Sequence, residues 1–157
     1  MKNFEELGLV PPILKALLDA GYENPTPVQE GTIEWAIEGH DVLGCAQTGT
    51  GKTAAFTLPI LNRIADQKEK GIKALILAPT RELAMQIATS LRDYSKYMRI
   101  HHAVVYGGVS AYEQIRTLRR GVDVLVATPG RLLDLYDQGH INLSKVQFLV
   151  LDEADKM

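Results

Sequence analysis

Short apolar runs alternate with amphipathic stretches along almost the whole of this 157-residue chain. Each run is too short for a helix, and most are rich in Val, Ile or Leu. The runs are DVLGCA, KALILA, HAVVY, VDVLVAT and QFLVL. Near-continuous apolar strands separated by helices predict an α/β fold: a doubly wound parallel sheet with helices on both faces. In such a fold, ligands bind at the carboxyl ends of the strands.

The stretches between these runs have apolar residues at helical spacing, and several carry helix-end signals. In the first of them, proline suits the first turn and Gly21 can end the helix. The Leu and Ile positions and Trp35 are predicted to form the core. No repeat or linker interrupts the pattern, so residues 1–157 are predicted to form one domain. The helical stretches are PPILKALLDAG, VQEGTIEWAIEG, KTAAFTLPILNRIADQ, RELAMQIATSLRDYSKY, AYEQIRTLRR and PGRLLDLYDQG.

Composition and charge narrow the functional classes. The formal net charge of −2 gives no general attraction to nucleic acid, so such a contact would need a local surface. The single cysteine, Cys45, excludes an internal disulfide and fits a reducing compartment. The first residues lack the apolar run of a signal peptide, and no segment approaches the roughly 20 apolar residues of a membrane span. We therefore expect a cytoplasmic protein without a membrane partner.

The stretch AQTGTGKT at residues 46–53 lies between an apolar run and a helix, the place of a phosphate-binding loop. Its glycines let successive N–H groups turn toward one anion, and the helix start adds the positive end of its dipole. Lys52 can reach the β- and γ-phosphates, and the Thr53 hydroxyl can hold Mg²⁺. The general pattern has glycine at position 46, where this chain has Ala46. The alternative is a turn that only caps a helix. The predicted ATP contacts are Ala46, Gln47, Thr48, Gly49, Thr50, Gly51, Lys52 and Thr53.

The run QFLVL delivers three carboxylates, Asp152, Glu153 and Asp155, at its carboxyl end. In a phosphate-loop enzyme, Asp152 would hold Mg²⁺, usually through a water, and Glu153 would orient and deprotonate the attacking water. Taken alone, the same residues could be the acidic start of a helix. A phosphate loop in the same chain favours nucleoside triphosphate hydrolysis, with Glu153, Lys52 and Asp152 as catalytic residues.

Several motifs together resemble those of the DEAD-box RNA helicases, in the same order along the chain. That family commonly carries alanine at the position of Ala46, and Asp155 in place of histidine separates the chain from the DEAH relatives. The resemblance implies a RecA-like P-loop NTPase domain that uses ATP and Mg²⁺. The motifs are GYENPTPVQ (the Q motif, residues 21–29, within 2–30), AQTGTGKT (46–53), PTREL (motif Ia, 79–83), Gly107-Gly108, TPGR (motif Ib, 128–131) and DEAD (152–155).

The resemblance assigns the adenine base to Gln29 and Phe4. Gln29 has the donor and the acceptor that an adenine edge requires, and Phe4 has a flat apolar face on which a base can stack. Both roles would make the site selective for ATP over GTP. The alternatives are a core anchor for Phe4 and a solvated helix residue for Gln29.

Two of the motifs, PTREL and TPGR, each follow a predicted strand and so lie at one edge of the sheet. Backbone N–H groups, Thr hydroxyls and Arg guanidiniums there suit phosphate contacts, and the resemblance implies a largely sequence-independent grip on the RNA backbone. The alternative is that Arg81 and Arg131 are helix-start residues paired with carboxylates such as Glu82 or Asp134. The predicted RNA contacts are Pro79, Thr80, Arg81, Gly107, Gly108, Thr128, Pro129, Gly130 and Arg131.

The resemblance implies an ATP-dependent RNA helicase that opens duplexes locally or remodels RNA–protein complexes. It also implies that 1–157 is the first of two RecA-like domains, incomplete at its C-terminal end, with a Ser-Ala-Thr strand and an arginine-bearing second domain missing. Alone it would bind ATP and hydrolyse it poorly, with an unpaired strand edge. Two alternatives are a non-enzymatic ATP-dependent RNA clamp or docking module, and a DNA-directed superfamily 2 motor.

The remaining polar clusters predict no further site. Arg116, Arg119 and Arg120 fit the solvated face of an amphipathic helix. His101 and His102 have no second His or Cys pair at ligand spacing, so no protein-bound metal is expected.

Overall fold

The computed structural model describes residues 2–40 and 51–157, which form two compact units. The first contains residues 2–40, 51–67 and 90–99, and the second contains 68–89 and 100–157. The predicted strand DVLGCA and the predicted ATP contacts at 46–50 lie outside the described residues.

The first unit is helical and begins where the sequence signals predict. Gly21 follows the end of the first helix by two residues, and its φ of 82° lies in the left-handed region that favours glycine. The second begins with a capping box: the Thr26 side chain accepts from the Gln29 backbone N–H, and the Gln29 side chain accepts in return. Its elements are a short 3-10 helix at Phe4–Leu7, α1 at Pro11–Asp19, α2 at Pro27–Ile37 and α3 at Lys52–Ile64.

The prediction that Trp35 belongs to the core is wrong, since its side chain is 57% exposed. The buried residues of α2 are Gln29 and Ile33, which are four positions apart and therefore share one helix face. Trp35 is two positions beyond Ile33 and projects from another side, where its ring lies 4.6 Å from the ring of His40. The buried face of α2 thus carries a glutamine, while the tryptophan faces solvent.

The second unit contains a four-stranded parallel sheet in the order β2-β3-β1-β4. Each strand coincides with an apolar run of the sequence, so the predicted α/β parallel fold is confirmed. The strands are β1 at Ala74–Leu77, β2 at His102–Val105, β3 at Val124–Ala127 and β4 at Phe148–Leu151. The helices are α4 at Arg81–Tyr94, of which residues 81–89 belong to this unit, α5 at Tyr112–Arg119, α6 at Pro129–Asp137 and a 3-10 turn at Ala154–Lys156.

Apolar residues cover both faces of the central strands. On one face, Leu75 and Leu125 pack in a core with residues of α5 and α6, such as Ile115 and Leu135. The crossover from β1 to β2 runs along the sheet in the opposite direction from the later two, so right-handed connections place α4 on the other face. The residues buried on that other face are Ala74, Ile76, Val124 and Val126.

The prediction that all the Leu and Ile positions form the core is wrong for several leucines. On β4, Leu149 and Leu151 share the face of Leu75 but are exposed, as are Leu18 and Leu133 on the helices. Arg116 and Arg119 of α5 and Arg120 at its C-cap are exposed, as predicted. No helix in the described ranges is long and apolar enough to cross a membrane.

Candidate functional site

The described end of the predicted phosphate loop is Gly51, which precedes the first turn of α3 with a φ of 83°. A Cβ atom at this position would clash with Gln29 Nε2 and lie 2.9 Å from Thr26 Oγ1, so a larger residue would strain the backbone and displace these side chains. Lys52 and Thr53 follow in the first helical turn and are partly exposed. The other predicted loop contacts, residues 46–50, lie outside the described residues.

Gln29 is 2% exposed, so the alternative of a solvated helix residue is wrong. Its Oε1 accepts from the Thr26 backbone N–H at 3.0 Å, and its Nε2 donates to the Gly51 carbonyl at 3.2 Å. One amide therefore fixes the start of α2 and also contacts Gly51, at the end of the predicted phosphate loop. Its contact with adenine stays a prediction.

Phe4 is 5% exposed and lies in the 3-10 helix, where its burial favours the core-anchor alternative over an open stacking face. Asn62 of α3 holds the chain segment that follows. The Val10 backbone N–H donates to Asn62 Oδ1 at 2.7 Å, and Asn62 Nδ2 donates to the Gly8 carbonyl at 3.3 Å. Stacking of Phe4 on a base stays a prediction.

The acidic motif follows β4 at the carboxyl end of the sheet. Asp152 is buried, and its backbone N–H donates to the Leu77 carbonyl at 2.9 Å. Glu153 has a φ of 51°, a left-handed conformation that costs a non-glycine residue about 1–2 kcal/mol. Its Oε1 lies 3.4 Å from Lys156 Nζ. Backbone strain at a non-glycine residue is concentrated in proteins at functional sites.

All four strands end in register, which brings four predicted motifs to one edge of the sheet. Leu77 of β1 is paired with Ala127 and with Leu151, and Val105 of β2 with Ala127. Motif Ia follows β1, the two glycines follow β2, motif Ib follows β3 and the DEAD residues follow β4. The prediction that motifs Ia and Ib share an edge is confirmed.

Motif Ia has one capping side chain and one exposed cation. Thr80 Oγ1 accepts from the Leu83 backbone N–H at 3.2 Å and so caps α4. The guanidinium carbon of Arg81 lies 4.6 Å from the centroid of the Tyr106 ring. In the described part of the chain, Arg81 makes no ion pair with Glu82.

The Arg131 side chain of motif Ib is largely buried and bonds to residues of the protein itself. Its side chain is 11% exposed, and its Nε lies 3.9 Å from Asp134 Oδ2, as the helix-start alternative predicts. One terminal nitrogen donates to Gln114 Oε1 at 3.0 Å and the other to the Val109 carbonyl at 2.8 Å. A direct RNA contact by Arg131 stays a prediction.

The glycines of this edge leave space beside the backbone. A Cβ atom built on Gly107, Gly108 or Gly130 would meet no described atom of another residue within 4 Å, and only Gly108 has a positive φ. The protein itself therefore does not require glycine at two of the three positions. Thr128 stands at the N-cap of α6 beside Pro129, and among the described residues its side chain makes no capping hydrogen bond.

Sequence reasoning missed three side chains that organise these segments: Asn62, Tyr106 and Gln114. Their roles depend on contacts with residues distant in the sequence, and only the position of Tyr106 beside the two glycines was a local signal. No group of three or more His, Cys, Asp or Glu side chains within 2–40 and 51–157 is arranged to hold a metal ion.

Comparison with known proteins agrees with this arrangement of motifs. The sequence profile described as DEAD/DEAH box helicase matches residues 26–157. The chain is 52% identical over 156 residues to "ATP-dependent RNA helicase DeaD" of Klebsiella pneumoniae, covering 99% of this chain and 24% of that protein. The protein of that name from Escherichia coli strain K12 is also 52% identical, with 25% of its length covered. The "DEAD-box ATP-dependent RNA helicase 52A" of Oryza sativa is 43% identical over 170 residues, with 28% covered.

The chain thus spans about a quarter of the length of the curated relatives it matches. Its parallel sheet flanked by helices is the fold of a RecA-like α/β domain. From the matched profile and this identity over nearly the whole chain, the protein belongs to the DEAD/DEAH box helicase family.

Proposed function

We propose that residues 1–157 are the first RecA-like domain of an ATP-dependent RNA helicase, which couples ATP hydrolysis to local duplex opening or RNA–protein remodelling. The observation that carries the proposal is the hydrogen bond from Gln29 Nε2 to the Gly51 carbonyl. It places the side chain expected to read adenine against the end of the loop expected to bind phosphates. The names of the relatives support the same reaction.

On the nucleotide side, Gln29 recognises the adenine edge with its amide, and Phe4 supports the base. The loop from Ala46 to Thr53 surrounds the phosphates with backbone N–H groups, and Lys52 adds a positive charge near the β- and γ-phosphates. The start of α3 adds the positive end of the helix dipole to this site.

The residues available for Mg²⁺ fit its chemistry, since the Thr53 hydroxyl and the Asp152 carboxylate are the hard oxygen ligands that this ion prefers. When bound together with ATP, Mg²⁺ would neutralise charge on the phosphates. Asp152 would hold it through a water. Glu153 would orient the attacking water and accept its proton. It is the second residue after β4, directly next to Asp152.

On the RNA side, the edge formed by motifs Ia and Ib and the two glycines binds the sugar-phosphate backbone, largely without regard to sequence. The open space beside Gly107 and Gly130 allows a strand to approach the protein backbone closely. The exposed Arg81 supplies a local positive charge on a chain whose net charge is −2.

We propose two further features of the intact protein. The relatives are about four times as long as this chain, which leaves room for a second RecA-like domain. That domain would supply arginines to the ATP site. An arginine of this kind contributes on the order of 10³–10⁵ in rate, so 1–157 alone would hydrolyse ATP slowly. The protein would act in the cytoplasm.

The test is the ATPase rate of the intact protein without nucleic acid, with single-stranded RNA and with DNA of the same sequence. We expect RNA but not DNA to stimulate the ATPase rate. Lys52→Ala should abolish it, and Glu153→Gln should lower it by at least about 100-fold. Lys70→Ala, at an exposed position, is the matched control for Lys52→Ala.

Other outcomes would select the alternatives. Stronger stimulation by DNA than by RNA would indicate a DNA-directed motor, and ATP-dependent RNA binding without turnover would indicate a clamp. A Lys52→Ala protein with unchanged ATP affinity and rate would contradict the phosphate-loop assignment.

A further inference from the structure

Gln114 of α5 lies at the centre of a hydrogen-bond network beside the glycine pair. Its Nε2 donates to the Tyr106 carbonyl at 3.1 Å, and its Oε1 accepts from the Tyr106 backbone N–H at 3.4 Å. The same Oε1 accepts from Arg131 at 3.0 Å. One side-chain amide thus fixes both backbone groups of the residue before the glycines and one side chain of motif Ib.

Arg131 completes the network on the other side of the glycines. Its second terminal nitrogen donates to the Val109 carbonyl at 2.8 Å, directly after Gly108. The loop is therefore held at Tyr106 by Gln114 and at Val109 by Arg131, and these two side chains bond to each other. Gly107 and Gly108, which lack side chains of their own to anchor them, lie between the two fixed points.

Motif Ia joins the network through the Tyr106 ring, over which the Arg81 guanidinium lies at 4.6 Å. Fixing the Tyr106 backbone also fixes the base of that ring, and the ring provides the surface on which Arg81 rests. Segments that follow three different strands are thus connected through one residue.

We infer that Gln114 is a positioning residue for RNA binding: it holds the glycine loop, Arg131 and the Tyr106–Arg81 pair in one arrangement without touching RNA itself. This inference rests on the proposed function. An amide is needed, because only a group with both an acceptor and a donor makes all three bonds. Leucine makes none of them, and glutamate keeps only those in which Oε1 accepts.

The RNA test measures the affinity of the intact protein for a fluorescein-labelled single-stranded RNA with a non-hydrolysable ATP analogue, by anisotropy. We expect Gln114→Leu to weaken RNA binding roughly tenfold, since several net hydrogen bonds that order the site are lost. Gln114→Glu should weaken it less, because its carboxylate keeps a charge-assisted bond to Arg131. Gln86→Leu, at an exposed position of α4, is the matched control.

Three readouts separate positioning from a general loss of structure. ATP affinity and melting temperature of Gln114→Leu should stay within the range of Gln86→Leu. Adding Arg131→Met to Gln114→Leu should cost much less than the sum of the single effects, because both act on one loop. Without RNA, hydrogen exchange of the amides at 107–109 should be faster in Gln114→Leu than in the wild type.

The exchange arm needs no RNA, so failure of the inference and failure of the proposed function are distinguishable. A wild type that does not bind RNA would refute the proposed function. An RNA-binding wild type would refute the inference if Gln114→Leu bound RNA equally well, or if its loss matched a loss of ATP affinity and stability. If Gln114→Leu does not fold, Gln114→Glu decides, and unchanged RNA affinity and loop exchange in that variant would overturn the inference.

Discussion

The two edges of the parallel sheet are built in opposite ways. At the amino edge, Lys73 Nζ lies 2.6 Å from Asp123 Oδ1 and also donates to the Gly71 carbonyl, and Asp123 Oδ2 accepts from the His101 backbone N–H. The polar groups that enter β1 and β3 are therefore used within the protein. At the carboxyl edge, Glu153 has a strained backbone and the glycines leave the chain accessible.

The difference shows how one fold separates stability from function. Polar groups that bond to each other fix the strands, whereas groups left for a ligand must be held in place by residues such as Gln114 that do not contact it. Substitutions at the amino edge should therefore change the free energy of unfolding, and those at the carboxyl edge should change binding or catalysis at little cost in stability.

The largest effect on stability is expected for Lys73→Met. The Lys73 side chain is 3% exposed and the Asp123 side chain 23% exposed, so removing the lysine leaves a partly buried Asp123 charge without its partner. Breaking such a pair should cost about 1–3 kcal/mol of unfolding free energy, between the values for exposed and fully buried pairs, measured by denaturant unfolding. RNA affinity of the folded protein should not change.

Lys145→Met is the control, because the Lys145–Glu69 pair of the same unit is exposed and should contribute little. Adding Asp123→Asn to Lys73→Met should recover part of the loss, since asparagine removes the charge but still accepts a hydrogen bond. Equal effects of Lys73→Met and Lys145→Met would contradict the assignment of stability to the amino edge.

A smaller difference in unfolding free energy is expected between two substitutions of Glu153, with the glycine variant the more stable. Both Glu153→Gly and Glu153→Ala remove the carboxylate and should reduce the ATPase rate equally. Only glycine adopts a φ of 51° without strain, so Glu153→Gly should be about 1 kcal/mol more stable than Glu153→Ala. Denaturant unfolding of the two variants measures the difference, and equal stabilities would show that the left-handed backbone stores no strain.

The sequence predicted the strands because each reads as a short continuous apolar run, the pattern typical of a parallel sheet covered by helices, as in VLVA of β3. It predicted the edge shared by motifs Ia and Ib for the same reason. It predicted neither the exposure of Trp35 nor the burial of Gln29, whose amide donates to the Gly51 carbonyl 22 residues away. Arg131 likewise resembles a surface cation until its bonds to Gln114 and Val109 are known.

The smallest effect on stability, and the sharpest test of the carboxyl edge, is expected for Gly130→Ala. Gly130 lies in the first turn of α6, with no positive φ and no described atom of another residue within 4 Å of an added Cβ. Alanine favours helix over glycine, so the unfolding free energy should stay equal or rise by up to about 1 kcal/mol. Gly31→Ala in α2, where an added Cβ also meets open space, is the matched control.

If RNA passes close to this backbone, the added methyl group of Gly130→Ala will weaken RNA binding while that of Gly31→Ala will not. Anisotropy with labelled RNA measures both affinities, and thermal unfolding shows whether each variant gains the helix stabilisation. A Gly130→Ala protein that is stabilised and binds RNA as tightly as the wild type would show that the glycine of motif Ib is not kept for a ligand. The contrast between the two edges would then rest on Glu153 and the glycine pair alone.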